Sequence, residues 1–276
     1  MTLLLLFAGG LVTSTGSGLA VPDWPLSFGT LFPAMKGGVR FEHSHRVIAG
    51  FVVILTMILV ALLAKFESRK TVRGIGYFAI GAILFQALLG GMTVLLRLPP
   101  LVSVLHAAVA QLFFCSIVTL AVVTSPNWGK IDAIQPLNPL LPVITVVAVY
   151  GQIILGAIMR HVGAGLAIPD FPRAFNHWIP PAAFFTFPVA IHFAHRVGAL
   201  VVAILLIWTA IQVFPYKRLR FPALWGIIFL ALQIFLGAEI IWTQKAVLPA
   251  TLHVVTGASI LATQLVIALY VWRERT

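Results

Sequence analysis

Charge is what this 276-residue chain has least of: Asp, Glu, Lys and Arg together make up 9% of it, against about 25% in a soluble globular domain. With 61% hydrophobic residues and a mean hydropathy of +1.06, a water-soluble fold is excluded. Acidic residues are the scarcest, 7 against 18 basic, which leaves a formal charge of +11. That excess does not describe a nucleic-acid surface. The basic residues are scattered over loops and helix ends, where they act as topology determinants, and no nucleic-acid partner is expected. Cysteine occurs once, as Cys115 inside an apolar run, so no intramolecular disulfide can form. The weak apolar–polar alternation of a membrane β-barrel is missing. No basic region precedes Leu3–Leu6 and no cleavage site follows it, so a cleaved secretory signal is not expected.

What is present is a succession of apolar runs close to 20 residues long, the signature of an all-α integral membrane protein surrounded by lipid. Eight spans are predicted, over 1–14, 43–64, 74–96, 101–124, 140–159, 188–213, 222–242 and 249–272. The first is short: about 14 residues give ~21 Å at 1.5 Å per residue, less than a ~30 Å hydrocarbon core. Either that helix sits shallow or the natural start lies upstream. Ten basic residues (Lys65, Arg69, Lys70, Arg73, Lys130, Lys217, Arg218, Arg220, Arg273, Arg275) fall on one side, together with both termini, and that side is read as cytoplasmic. All eight histidines fall on the other side. The expected location is a bacterial or archaeal cytoplasmic membrane, with a single chemical layer toward its outer face.

The chain repeats itself. Gly9–Pro25 aligns with Gly156–Pro172 at an offset of 147, and the same offset relates Gln86–Gly90 to Gln233–Gly237 and His106 to His253. An even number of spans per repeat predicts two parallel four-helix bundles related by an axis along the membrane normal. The domain expectation is therefore a bundle over 1–125, a cytoplasmic linker over 126–139 and a second bundle over 140–276.

Within this repeat the polar residues form a pattern. Phe41-Glu42-His43-Ser44-His45-Arg46 stands at the mouth of one span, and Ile191-His192-Phe193-Ala194-His195-Arg196 stands at the mouth of another. A lone histidine follows each, His106 and His253. Titratable groups at membrane depth mark function by default. Two histidines per bundle, on different helices, suit bis-imidazole ligation of a haem, and zinc is disfavoured because the second half lacks carboxylate or thiolate companions. Arg46 and Arg196 follow the candidate ligands directly and are placed to pair with haem propionates, with Arg40, Arg97, Arg160 and Lys245 as weaker candidates. Interfacial snorkelling is the bland alternative for these arginines. The halves differ one turn before the ligand, Glu42 in the first and His192 in the second. A carboxylate at a porphyrin edge is idle in an electron carrier but useful where a haem is chemically modified, so the first half is the expected reaction chamber.

These residues resemble the haem A synthase family, membrane enzymes that oxidise a methyl group of haem O to the formyl group of haem A. The resemblance covers essentially the whole chain. It rests on Thr15-Gly16-Ser17-Gly18-Leu19 with Pro22-Asp23-Trp24-Pro25, Glu42-x-x-His45-Arg46, Gly163-Ala164-Gly165-Leu166 with Pro169-Asp170, His195-Arg196, His106 and His253. It implies an oxidoreductase acting on the C8 methyl through hydroxylated intermediates, with Glu42 catalytic and His45 and His106 flanking the substrate haem. It further implies that His195 and His253 ligate a haem b that carries electrons. Implied partners are haem O, an electron donor or acceptor, the haem O-producing enzyme and oxidase assembly factors; a homo-oligomer is compatible with it. One departure stands out. Many members have a cysteine pair in the first outer loop, and here Val21 occupies the place where a cysteine often precedes Pro-Asp-Trp. The competing readings are a dihaem b-type electron-transfer cytochrome, which leaves Glu42 without work, and a parallel-repeat transporter, which predicts binding groups near the midplane.

Overall fold

Backbone polar groups find no partner in hydrocarbon, so runs of Leu, Ile, Val and Phe at this density satisfy their N–H and C=O groups within helices. The computed structural model describes residues 1–128 and 138–273; most of the 126–139 segment, with Lys130, and Arg275 lie outside the described residues. The described residues form eight α-helices: α1 (Thr2–Ser14), α2 (Val39–Phe66), α3 (Lys70–Leu95), α4 (Pro100–Val123), α5 (Leu140–His161), α6 (Phe187–Val213), α7 (Lys217–Trp242) and α8 (Val247–Arg273). Among them there is no strand, only isolated bridges pairing Ser27 with Thr30 and Ala174 with His177. Seven helices, α2 to α8, are long and apolar enough to cross a membrane, and the chain is an integral membrane protein. Helix α1, with 13 residues, spans about 20 Å and is too short on that measure.

Three helices begin well before the predicted spans. Helix α2 starts at Val39 instead of 43, α3 at Lys70 instead of 74, and α7 at Lys217 instead of 222, with Pro222 inside it. Hydropathy windows open where polar residues stop, whereas a helix extends through a polar first turn. The earlier start of α2 places Glu42 on the helix itself, in its first turn.

The turns repeat as well. Arg97 and Leu98 after α3, and Gln244 and Lys245 after α7, all have positive φ, and in each case the second residue bonds back to a helix carbonyl (Leu98 N–H to Thr93, 2.6 Å; Lys245 N–H to Ile240, 2.8 Å). The α2–α3 connection is closed by Arg69, whose side chain holds the half-buried Glu67 carboxyl down to about 2 through hydrogen bonds.

By packing, the chain divides into two compact units, Met1–Leu120 with Ala246–Val255, and Ala121–Lys245 with Thr256–Thr276. In the first, Gly10 of α1 faces Thr251 of α8, and Gly76 of α3 faces Leu63 of α2. In the second, Thr145 of α5 and Thr209 of α6 share a buried hydroxyl–hydroxyl bond of 2.9 Å. Ala210, Val213, Leu219, Ala223, Ile267 and Val271 form its core between α6, α7 and α8.

Candidate functional site

In the first unit, the long loop after α1 docks on the first turns of α2. Its shape is set by Asp23, whose two carboxylate oxygens accept the N–H groups of Phe28 and Gly29, both at 2.7 Å. Those two residues have φ of 54° and 70°, the central pair of a tight turn that Ser27 and Thr30 close by mutual backbone bonds. The N–H groups of Gly29 and Phe28 hold the Asp23 carboxyl below its ordinary value. The docking itself is made by Arg46 and Glu42. Arg46 Nη1 donates to the Asp23 and Leu26 carbonyls, both at 2.7 Å, and Nη2 donates to the Val21 carbonyl at 3.4 Å and to Glu42 Oε1 at 2.6 Å. Glu42, 3% exposed, also accepts the Val21 N–H on Oε2 at 2.9 Å. A further polar contact joins Ser27 Oγ to His43 Nδ1 at 2.8 Å. The Trp24 ring lies against Gly91 of α3, where a Cβ would sit 2.7 Å from ring carbon Cδ2.

The second unit builds the same junction from a changed set of residues. Asp170 accepts the N–H groups of Phe175 and Asn176, both at 2.7 Å and both from residues of positive φ. Burial raises the Asp170 carboxyl, but the Asn176 and Phe175 N–H groups outweigh it and hold the group below its ordinary value. Arg196 donates to the carbonyls of Arg173 and Asp170 at 2.7 Å and of Ile168 at 3.5 Å, and its guanidinium lies 5.6 Å from the Phe171 ring centre. His192 replaces Glu42 and accepts the Ile168 N–H on Nδ1 at 3.2 Å. Where the first unit has Ser27 and His43, the second has Ala174 and Phe193, which belong to one apolar cluster with Ile168 and Val189.

The four singled-out histidines, His45, His106, His195 and His253, are all half-buried, and each lies within the first three turns of its helix. Three of them rest a ring edge on a glycine of a neighbouring helix. A Cβ on Gly9 would lie 3.0 Å from His45 Cε1, one on Gly90 3.2 Å from His106 Cε1, and one on Gly156 2.9 Å from His195 Cε1. Gln86 of α3 donates to the His106 carbonyl at 2.8 Å, and Gln152 of α5 donates to the His195 carbonyl at 2.7 Å. Among the described residues no three His, Cys, Asp or Glu side chains converge as metal ligands.

Of the arginines singled out in the sequence, Arg46 and Arg196 turn to the loops. Both Nη groups of Arg46 are fully engaged by loop carbonyls and Glu42. Arg40 is exposed, 4.8 Å from the Phe41 ring centre, and Arg97 is exposed in the α3–α4 turn. Sequence reading missed Asp23 and Asp170 as turn-formers and the glycines as imidazole supports. The signal was available, since every one of these positions recurs at the 147 offset.

The sequence model of the COX15-CtaA family, described as cytochrome oxidase assembly protein, matches residues 36–265. The heme A synthase of Symbiobacterium thermophilum is 32% identical over 253 residues, covering 86% of this chain and 80% of that protein. The heme A synthase of Halalkalibacterium halodurans is 29% identical over 289 residues, 99% of this chain and 94% of that protein. That of Alkalihalophilus pseudofirmus is 28% identical over 262 residues, 91% of this chain and 87% of that protein.

Proposed function

This chain belongs to the COX15-CtaA family, and on that premise we propose that it oxidises the C8 methyl group of haem O, through hydroxylated intermediates, to the formyl group of haem A. In this reading the two sequence repeats are parallel four-helix bundles, 1–125 and 140–276, joined by a cytoplasmic linker. Both termini are cytoplasmic and the histidine layer faces outward. His45 and His106 flank haem O as substrate; His195 and His253 ligate a haem b.

The residues present fit an iron porphyrin. His45 Nδ1 is buried without a hydrogen-bond partner among the described residues, and glycines keep Cβ atoms clear of three imidazole edges. When bound, haem b supplies a one-electron relay. The chain's own residues orient and handle protons. Arg46 and Arg196 fix the loops over the helix ends: Arg46 reaches a propionate only through Nε or by giving up one of its partners, Arg196 also through the second hydrogen of Nη1, and Arg40 and Arg97 make no such loop bonds among the described residues and are further propionate candidates.

The observation that carries the assignment is one of the exchanges between the two junctions: Glu42, one turn from His45, stands where the other unit has His192. Oxidising a methyl to a formyl group gives up protons, and Glu42 is the carboxylate placed to take them. A proton arriving on Oε1 weakens the bond to Arg46 Nη2. Glu42→Gln tests the role: haem binding survives while haem A output falls by roughly 10²-fold or more, with haem O or its hydroxymethyl form accumulating. Near-normal haem A from that variant would remove Glu42 from the chemistry, and purified protein holding haem B alone would favour a dihaem electron carrier.

A further inference from the structure

The two junction histidines are not held alike. His195 on α6 is gripped by three residues. Gln152 on α5 places its amide Nε2 3.1 Å from His195 Nδ1 and 2.7 Å from the His195 carbonyl. Gly198, three residues beyond the histidine, makes the room, because a Cβ there would collide with Gln152 Oε1. Gly156, one turn after Gln152 on α5, supports the Cε1 edge. At the corresponding positions of the first unit stand Leu5, Ile48 and Gly9. The glycine support is kept, but the amide and the gap that admits it are gone. On the first unit's side, His45 Nδ1 is buried with no hydrogen-bond partner among the described residues.

A metal-bound imidazole is oriented, and its basicity set, by what its other nitrogen bonds to. Resting on the reading of His195 as a haem b ligand, we propose that Gln152 is a positioning residue that locks the His195 imidazole through Nδ1. The haem on His195 is thereby held as a resident cofactor, while the unlocked His45 serves a haem that arrives and leaves. The carboxamide suits both protonation patterns of the ring. Its N–H₂ meets an Nδ1 lone pair, and a half-turn of the amide, at the cost of the bond to the His195 carbonyl, presents Oε1 to an Nδ1–H once Nε2 is the ligating atom.

The test uses full-length purified protein loaded with haem b. Gln152→Leu, the first unit's residue at this position, transfers haem b to excess apomyoglobin faster by roughly 10- to 100-fold, the usual scale of second-shell losses. Its haem b midpoint potential rises, because the imidazole becomes a weaker donor. The isosteric Gln152→Glu, a stronger acceptor for Nδ1–H, shifts the potential down. Opposite shifts are the signature, since a merely structural role moves both variants the same way. His195→Ala serves as the reference: if it leaves the low-spin haem b spectrum intact, the ligand assignment fails. If it abolishes that spectrum while both Gln152 variants keep wild-type retention and potential, the locking role is overturned. Should Gln152→Leu not fold, Gln152→Glu decides by its potential alone.

Discussion

At the junction ahead of α2 a serine hydroxyl meets an imidazole; at the junction ahead of α6 an alanine and a phenyl ring share an apolar cluster. Around that difference the scaffold is constant. The same aspartate holds the same left-handed turn, and the same arginine gathers the same loop carbonyls. The residue one turn before the arginine accepts the same loop N–H in both, as a carboxylate in one and an imidazole in the other. The shared part therefore serves to bring a loop down on a helix end. Chemistry has to be sought in what differs, and the differences are of two kinds: the first unit has a carboxylate and a serine–imidazole pair at its junction, the second has extra supports around its histidine.

The largest effect is expected from making the first junction like the second. Glu42→His keeps an acceptor for the Val21 N–H but removes the carboxylate, and haem A output drops at least as far as in Glu42→Gln, roughly 10²-fold or more, measured by extracted pigment. Retained output would mean that the exchange at this position has no catalytic meaning.

Next come the glycine supports. A methyl at Gly156 or Gly9 would sit 2.9 or 3.0 Å from an imidazole carbon, against 3.2 Å at Gly90. Overpacking of this kind costs about 1–3 kcal/mol. Haem content of Gly156→Ala and Gly9→Ala should fall further than that of Gly90→Ala, and a reversed order would show that the rings yield freely.

Smaller still is Ser27→Ala, which leaves the His43 ring without its hydroxyl and lowers thermal stability by about 1 kcal/mol. Adding His43→Phe completes the apolar version of the junction and should recover part of the loss, so that the double-mutant cycle is non-additive.

The weakest handle is pH. The Asp23 carboxyl lies below its unfolded value of 3.8, so its contribution is fully present above that value and is lost as pH falls through the lower folded value. Pepsin should cut beside Phe28 or Phe32 only below that range, and Asp23→Asn should permit cutting at pH 4 as well.

Much of this was legible in the residues. Each helix announces itself as an apolar run, and the junctions could be paired from the repeat alone. The starts of α2, α3 and α7 could not be read, because hydropathy is blind to a polar first turn. Glu42 and His45 share a face one turn apart, and Arg46 follows Glu42 at i, i+4. The loop carbonyls that Arg46 binds besides Glu42 carry no residue-type signature. Gln152 escaped for the opposite reason. Leu5 interrupts the repeat there, and a search built on likeness passes over the position where likeness fails.

The glycine–imidazole contacts bear on how such a chain changes over generations. A histidine is gained by a single substitution, but one set against a neighbouring helix also needs a gap there, so a working position requires two events at sites 36 residues apart for Gly9 and His45 and 39 apart for Gly156 and His195. Loss is easier, since either event alone suffices. A descendant that no longer uses one of these histidines would keep, for a while, a glycine with nothing to accommodate, and that leftover notch would mark which half had once held a ring.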